Sequence, residues 1–193
     1  MTRPLSAPLS FIPGERLEAT LFDVEEGRFR YSVWRNVSIG VWAGQADHDA
    51  AMRVIRLGQY MHEQFPHGHS SVVFVLPDAP APTPEAQAVF SRLLDPRNAL
   101  SCTAIVIEGA GFWASGIRSA ITRMRIAEPA SHTKLRMHDT LDQVLDWLPS
   151  AHRSSTGVEL SRSAFKRVLT LARALEATIQ EPEVALSSVL PSR

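Results

Sequence analysis

The sequence predicts a mixed α/β fold, and three observations support this prediction. Segments 28–34 and 37–42 alternate polar and apolar residues, which is the period of half-buried strands. Segments 71–76 and 102–107 are almost continuously apolar, as parallel strands covered on both faces are. Helical apolar repeats lie between and after these later strands, and such alternation is typical of α/β layer folds.

The first half of the chain predicts three strands and one long helix. Segment 17–24 is the weakest strand candidate, and the two-residue link between 28–34 and 37–42 favours a hairpin. Residues 47–65 carry apolar side chains at three- and four-residue steps, so we predict an amphipathic helix there. Asp47 can cap its start, and Pro66 ends it.

The second half continues with helices between short strands. Thr83 as N-cap and Pro84 at the first helical position open a helix that Pro96 ends. A glycine-bearing turn leads from the strand at 102–107 into a third helix. A short strand follows at 134–137.

The carboxyl-terminal part predicts two more helices. Thr140 and Gln143 form a capping box that opens a fourth helix, which we expect to end at Pro149. The small polar segment 150–157 is typical of a linker. An amphipathic helix is predicted over 160–179, and the tail beyond Pro182 is expected to be mobile.

Composition excludes several classes of function. Twenty basic and twenty acidic side chains cancel, which argues against nucleic-acid binding by bulk charge. The single cysteine, Cys102, excludes an internal disulfide framework and a multi-cysteine zinc site. No apolar run approaches bilayer length and the amino terminus lacks the features of a signal peptide, so we expect a cytoplasmic protein.

The polar motifs predict no catalytic, cofactor or metal site. The pair His67 and His69 has metal-like spacing but follows a helix stop, so both are expected on the surface. Ser70 lacks the glycine-flanked strand-to-helix turn that a hydrolase nucleophile requires. We therefore expect no enzyme activity, no cofactor and no bound metal.

The strongest ligand motif is the turn Gly109-Ala-Gly111, which has the G-x-G-x-x-A form of a dinucleotide fingerprint between a strand and a helix. The bulky Phe112 and Trp113 follow where a backbone should approach a pyrophosphate. A plain turn is the simpler interpretation. Phe112 and Trp113, with Ser115 and Arg118 after them, either anchor a partner or cover the core beneath the turn.

The chain resembles the STAS superfamily (sulfate transporter and anti-sigma factor antagonist domains), and more closely its divergent bacterial members. The matching segments are 37–44 with the helix after it, 72–76, 104–118 and 139–148, so the resemblance covers about residues 20–148. It implies a noncatalytic binding module. In the antagonist branch it also implies a switch Ser or Thr beside an acid after the strand at 72–76. Here Asp78 stands at the acid position, Ala79 follows it, and Thr83 is the candidate phosphoacceptor.

These observations predict a STAS-like α/β domain at 16–149 and, at 150–193, a linker, an appended amphipathic helix and a mobile tail. The first functional hypothesis is a protein-interaction or signalling module that contacts a protein partner through Phe112, Trp113, Ser115 and Arg118. Helix 160–179 could mediate a homodimer or fold back on its own domain. The alternative is a small-molecule or nucleotide binder that uses the glycine turn at 109–111.

Overall fold

A computed structural model of the chain describes residues 19–25, 27–77, 79–94, 99–127 and 132–177. Its six strands form one sheet in chain order. The strands are β1 (Ala19–Glu25), β2 (Phe29–Trp34), β3 (Val37–Trp42), β4 (His69–Val75), β5 (Leu100–Ile107) and β6 (Lys134–His138). The helices are α1 (His48–Gln64), α2 (Pro84–Ser91), α3 (Gly111–Ala127), α4 (Leu141–Thr156) and α5 (Arg162–Ala177). A short 3₁₀ helix (Arg92–Leu94) follows α2.

The sheet is mixed, as the sequence predicted. Strands β1, β2 and β3 pair antiparallel, and the turn between β2 and β3 is closed by Arg35 in the left-handed region at φ 52°. From β3 onward every neighbouring pair is parallel, with helices α1, α2 and α3 in the connections. Residues 17–18 of the first predicted strand lie outside the described residues, as does Pro96.

The helices cover the sheet on both faces. Helices α1, α2 and α3 pack on one face, where they form two apolar clusters with the strands. Helices α4 and α5 pack on the other face against the strand residues that alternate with the first set. The observed architecture is therefore three layers, with the sheet in the middle.

The prediction that the fourth helix ends at Pro149 is wrong. Helix α4 continues to Thr156 and ends at Gly157, which adopts the left-handed conformation typical of a helix stop. Proline inside a helix leaves the carbonyl four residues earlier without its donor, here that of Leu145. Arg162 Nη1 donates to this carbonyl at 2.7 Å, so the defect is repaired from α5. The predicted linker at 150–157 is consequently the last two turns of α4.

Helix α5 folds back onto its own sheet. Phe165 stacks on Trp34 of β2, with ring centroids 5.9 Å apart and planes 15° from parallel. Val168, Leu169 and Ala172 are buried in the same cluster. The described part of the apolar stripe that motivated a homodimer is thus covered within the chain, as the folded-back alternative expects. Residues 178–179 of the predicted helix and the tail beyond Pro182 lie outside the described residues.

Candidate functional site

Strand β4 is unevenly covered, and this unevenness locates the candidate site. Val72, Phe74 and Leu76, which face α4 and α5, are at most 1% exposed. Val73 and Val75, which face α1, α2 and α3, are only half-buried. A central strand with two helical layers is expected to be buried on both faces. Its apolar side chains therefore border a space that the helices do not fill.

That space is a cavity of about 180 Å³ between the sheet and the first three helices. Strands β2 to β6 form its floor. Side chains of α1, of the α2 region and of α3 form its roof, among them Leu57, Phe90, Leu93, Ile117, Ile121 and Met124. The proline-rich segment 79–83 contributes Ala79, Pro80 and Pro82 at the edge where β4 ends. The lining is almost entirely apolar, so it suits a ligand that water solvates poorly.

A polar row crosses this floor near the amino ends of the parallel strands. Ser38, Ser71 and Thr103 lie side by side in register on β3, β4 and β5, and all three line the cavity. His69 lines it two residues before Ser71, on the same face of β4. Hydroxyl and imidazole groups within an apolar lining are the groups that orient a bound molecule.

Three cavity-lining side chains have a buried polar atom without a hydrogen-bond partner among the described residues. These atoms are the hydroxyl oxygens of Tyr31 and Thr103 and Nδ1 of His69. Buried polar groups in proteins are nearly always paired, because an unpaired one costs about 1–3 kcal/mol. Three such atoms around one cavity are therefore candidates for ligand contact.

Tyr31 reaches the cavity across β3 because position 40 is a glycine. A Cβ at Gly40 would lie only 2.8 Å from Cε1 of Tyr31, so any side chain there would displace the ring. Burial raises the pKa of the Tyr31 hydroxyl well above its usual value. Tyr31 therefore presents a neutral hydroxyl, which can donate a hydrogen bond at any physiological pH.

The polar groups of the cavity are all uncharged. Burial lowers the pKa of His69 to about 4, with smaller contributions from His62 and His152, so its ring is neutral at pH 7. None of the described residues that line the cavity is Asp, Glu, Lys or Arg. The site can therefore exchange hydrogen bonds with a ligand but has no counter-ion for a charged one.

Sequence reasoning placed His69 wrongly and missed its neighbours. We expected His69 on the surface, whereas it opens β4 and is 3% exposed. The helix stop before it was identified correctly, but the following strand begins earlier than its apolar run. Polar residues at the start of an apolar strand, such as His69, are easily assigned to the preceding loop. Ser71 and Thr103 lay within predicted strands, but the sequence does not give the register that pairs them.

A second polar cluster lies on the opposite face of the sheet. His152 of α4 contacts Ser70 Oγ through Nδ1 at 2.7 Å and Asn36 Oδ1 through Nε2 at 3.1 Å. The Asn36 amide group donates in turn to the carbonyl of Gly68. Ser70 and His152 are both fully buried. A serine, a histidine and an amide thus meet without any access for a substrate, and the cluster joins α4 to the sheet.

The predicted partner-contact residues have different environments. Phe112, at the start of α3, is 96% exposed. Trp113 is half-buried and donates from Nε1 to the carbonyl of Ala79 at 2.7 Å. Ser115 donates to the carbonyl of Gly111 within α3, and Arg118 forms an ion pair with Asp139. Of the four, Phe112 is the side chain that offers a free apolar surface.

The glycine turn makes room for an aromatic side chain, and ligand binding at this turn stays a prediction. Gly109 and Gly111 both have positive φ angles, and α3 begins at Gly111. A Cβ at Gly109 would lie 2.9 Å from the ring of Trp113, so this glycine makes room for the indole. Neither glycine lines the cavity, which lies beneath later residues of α3. The turn therefore positions Trp113 against Ala79.

Thr83 caps α2, as the sequence predicted. Its Oγ1 accepts a hydrogen bond from the backbone amide of Ala86 at 3.2 Å. Its own amide donates to the carbonyl of Ala46. Asp78, the acid named with it, lies outside the described residues. Phosphorylation of Thr83 stays a prediction.

Among the described residues, no group of three or more His, Cys, Asp or Glu side chains is arranged to hold a metal ion. In the same part of the chain, the length and the apolar character needed to cross a bilayer do not occur together in any helix.

Comparison with known proteins concerns the fold. No family model matches the sequence, and no curated protein matches it. Among solved structures, the chain is similar to an uncharacterised protein of the DUF3478 family with a SpoIIAA-like fold, from Shewanella loihica PV-4. The identity is 13%, the TM-score is 0.45, and the match covers 66% of this chain and 98% of that chain. The strand order and pairing show an α/β protein with the mixed sheet that the sequence predicted.

Proposed function

We propose that this protein is a noncatalytic module that binds a small apolar molecule between its sheet and helices α1, α2 and α3. The observation that supports this is the cavity of about 180 Å³ over the half-buried valines of β4. Natural cores are packed with few voids larger than a water molecule. An apolar cavity of about 150 Å³ is known to stay dry and to bind benzene. A single ring or a short hydrocarbon chain is therefore the size of ligand that fits.

Burial of apolar surface would drive this binding. Each square ångström of apolar area removed from water contributes about 25 cal/mol, and the cavity wall already supplies a preformed partner surface. On the opposite face of the sheet, the described strand side chains are buried against α4 and α5. We therefore expect one ligand on the side of the sheet that faces α1, α2 and α3.

Toluene binding tests the proposal. We expect saturation-transfer NMR to detect toluene bound to the full chain. Val73→Phe would place a ring in the cavity and abolish the signal. Val158→Phe is the matched control, because Val158 lies outside the cavity on the surface between α4 and α5. Absence of a toluene signal with the wild-type chain, or an undiminished signal with Val73→Phe, would contradict the proposal.

A protein-interaction function is the second candidate, and the exposure of Phe112 favours it. Large aromatic side chains that are fully exposed on a surface are frequent anchors of interfaces. Trp113, Ser115 and Arg118 lie on the same first turns of α3 and would border such a contact. A partner that co-purifies with the chain from its host should be lost with Phe112→Ser. The control is Phe112→Tyr, which retains the ring and should retain the partner.

Self-association is a further proposal that solution measurements decide. The apolar residues of α5 in the buried cluster lie against the sheet of the same chain, so they are not available to a second copy. Sedimentation equilibrium of the full chain gives the mass directly. A monomer at all concentrations would end the proposal, and a dimer would require an interface other than the buried face of α5.

A further inference from the structure

We infer that the molecule held in this cavity is electrically neutral and carries a hydrogen-bonding oxygen, as an alcohol, a phenol or a ketone does. This inference rests on the proposed function and assigns Thr103, His69 and Tyr31 to recognition of the oxygen. Its basis is the coincidence of three unpaired buried polar atoms with an otherwise apolar lining.

The first argument is the distribution of the polar atoms. Thr103 and His69 lie near the amino ends of β5 and β4, while the Tyr31 hydroxyl is carried across Gly40 from β2. The remaining wall is apolar, from the valines of β4 to Ile117 and Ile121 of α3. A ligand that matches this pattern has an apolar frame and one polar group.

The second argument is hydrogen-bonding capacity. The hydroxyls of Thr103 and Tyr31 can each donate a hydrogen bond, and the Thr103 oxygen can also accept one. A ligand oxygen beside either hydroxyl would satisfy a group that has no partner among the described residues. Each such bond replaces an unpaired buried group, so its contribution exceeds that of an ordinary exchange with water.

The third argument is the absence of charge from the described lining. A carboxylate or an ammonium group moved from water into an apolar cavity without a counter-ion loses several kcal/mol of solvation. The described lining contains no Asp, Glu, Lys or Arg side chain. Asp23 and Arg53 act on Tyr31 electrostatically, but neither of them lines the cavity. An ionised ligand would consequently bind much more weakly than a neutral one of the same shape.

Four ligands with the same ring test the inference: toluene, benzyl alcohol, benzoate and benzylammonium. At pH 8 we expect calorimetry or ligand-observed NMR to rank benzyl alcohol first, with both ions at least tenfold weaker. Benzoate binding as tightly as benzyl alcohol would overturn the neutrality inference while leaving the proposed function intact. Failure of all four ligands to bind would remove the proposed function itself.

Thr103→Val, which preserves shape and removes the hydroxyl, tests the residue assignment. We expect affinity for benzyl alcohol to fall about five- to tenfold and affinity for toluene to stay unchanged. Thr20→Val is the matched control, since Thr20 is an exposed strand residue outside the cavity. Tyr31→Phe provides a second variant, with the same expected contrast between the two ligands.

Stability measurements separate this role from a structural one. Thr103→Val removes an unpaired buried hydroxyl, so the melting temperature of the ligand-free chain should be kept or raised. A structural role for the hydroxyl predicts the opposite, a lower melting temperature. Unchanged affinity for benzyl alcohol in both Thr103→Val and Tyr31→Phe would overturn the assignment.

Discussion

His152 of α4 accepts a hydrogen bond from the hydroxyl of Ser70, at 2.7 Å, in the fully buried layer between α4 and β4. The direction of this hydrogen bond follows from Asn36, the third member of the cluster. The Asn36 amide nitrogen donates to Gly68, so its oxygen accepts from Nε2 of the ring. Nδ1 is then unprotonated and accepts from Ser70. This arrangement requires a neutral imidazole, and burial keeps it so by lowering the pKa of His152 to about 4.

Stability should fall as the solution is acidified from about pH 6.5 to pH 4. The unfolded chain takes up protons on His69 and His152 near their ordinary pKa of 6.5, whereas the folded chain does so only near 4. Between these values the unfolded state binds more protons, so the free energy of unfolding drops by up to about 1.4 kcal/mol per pH unit for each histidine. Urea unfolding at several pH values measures this slope.

Substitution can show how much each histidine contributes to the slope of the free energy of unfolding against pH. His152→Gln should reduce it by about one proton, whatever the change in total stability. His67→Gln is the control for loss of a histidine side chain, because His67 is exposed and lies outside the cluster of His152, Ser70 and Asn36. An equal slope in the wild type and in His152→Gln would show that this histidine is not kept neutral by folding.

The contact between Phe165 and Trp34 should make α5 an integral part of the fold. Phe165→Ala leaves a void beneath α5 and is expected to lower the free energy of unfolding by about 3–5 kcal/mol. Leu171→Ala, on the partly exposed side of the same helix, should cost less than about 1 kcal/mol. Chemical denaturation compares the two variants. Similar small losses would mean that α5 is only loosely attached.

Substitution of glycine by alanine should change stability in opposite directions at two positions. Gly116 lies within α3 with open space where a Cβ would go, so Gly116→Ala is expected to raise stability by about 0.5–1 kcal/mol. Gly157 ends α4 at φ 74°, so Gly157→Ala is expected to lower it by about 1 kcal/mol. A Cβ would meet no other atom at either position, so the opposite changes in stability depend on backbone conformation alone. The melting temperatures of the two variants show whether stability rises in one and falls in the other.

The ion pair between Glu108 and Arg173 should attach α5 to the end of β5. Both Nε and Nη2 of Arg173 donate to the carboxylate, at distances between 2.6 and 3.0 Å. A double-mutant cycle with Glu108→Gln and Arg173→Met should give a coupling of about 1 kcal/mol. The more exposed pair Asp142 and Lys166, at 3.4 Å, is the control and should couple by a few tenths of a kcal/mol. Equal couplings would contradict a special role for the bidentate pair.

Local residue patterns were sufficient to predict the order of strands and helices along the chain. Alternation at 28–34 and 37–42 identified the hairpin strands β2 and β3, and the caps Asp47, Thr83 and Thr140 marked the starts of three helices. These signals depend on neighbours a few residues away, which the sequence shows directly. The mixed sheet followed, because long connections between later strands favour parallel pairing.

Where the local rules failed, a partner distant in the chain was responsible. Pro149 is tolerated within α4 because Arg162, on the next helix, supplies the missing donor to Leu145. His152 is buried because Asn36 and Ser70, more than 80 residues away, accept and donate at its ring. Neither contact can be predicted from the periodicity of neighbouring residues.

The sequence by itself therefore determined the order of the strands and helices and that their sheet is mixed, because these properties follow from residue patterns of period two and 3.6. Only the tertiary structure decided that α5 lies on its own sheet and that an unfilled space lies over Val73 and Val75. A cavity is the difference between the volume that three helices enclose and the volume that their side chains fill. That difference depends on how the helices pack, which no single segment encodes.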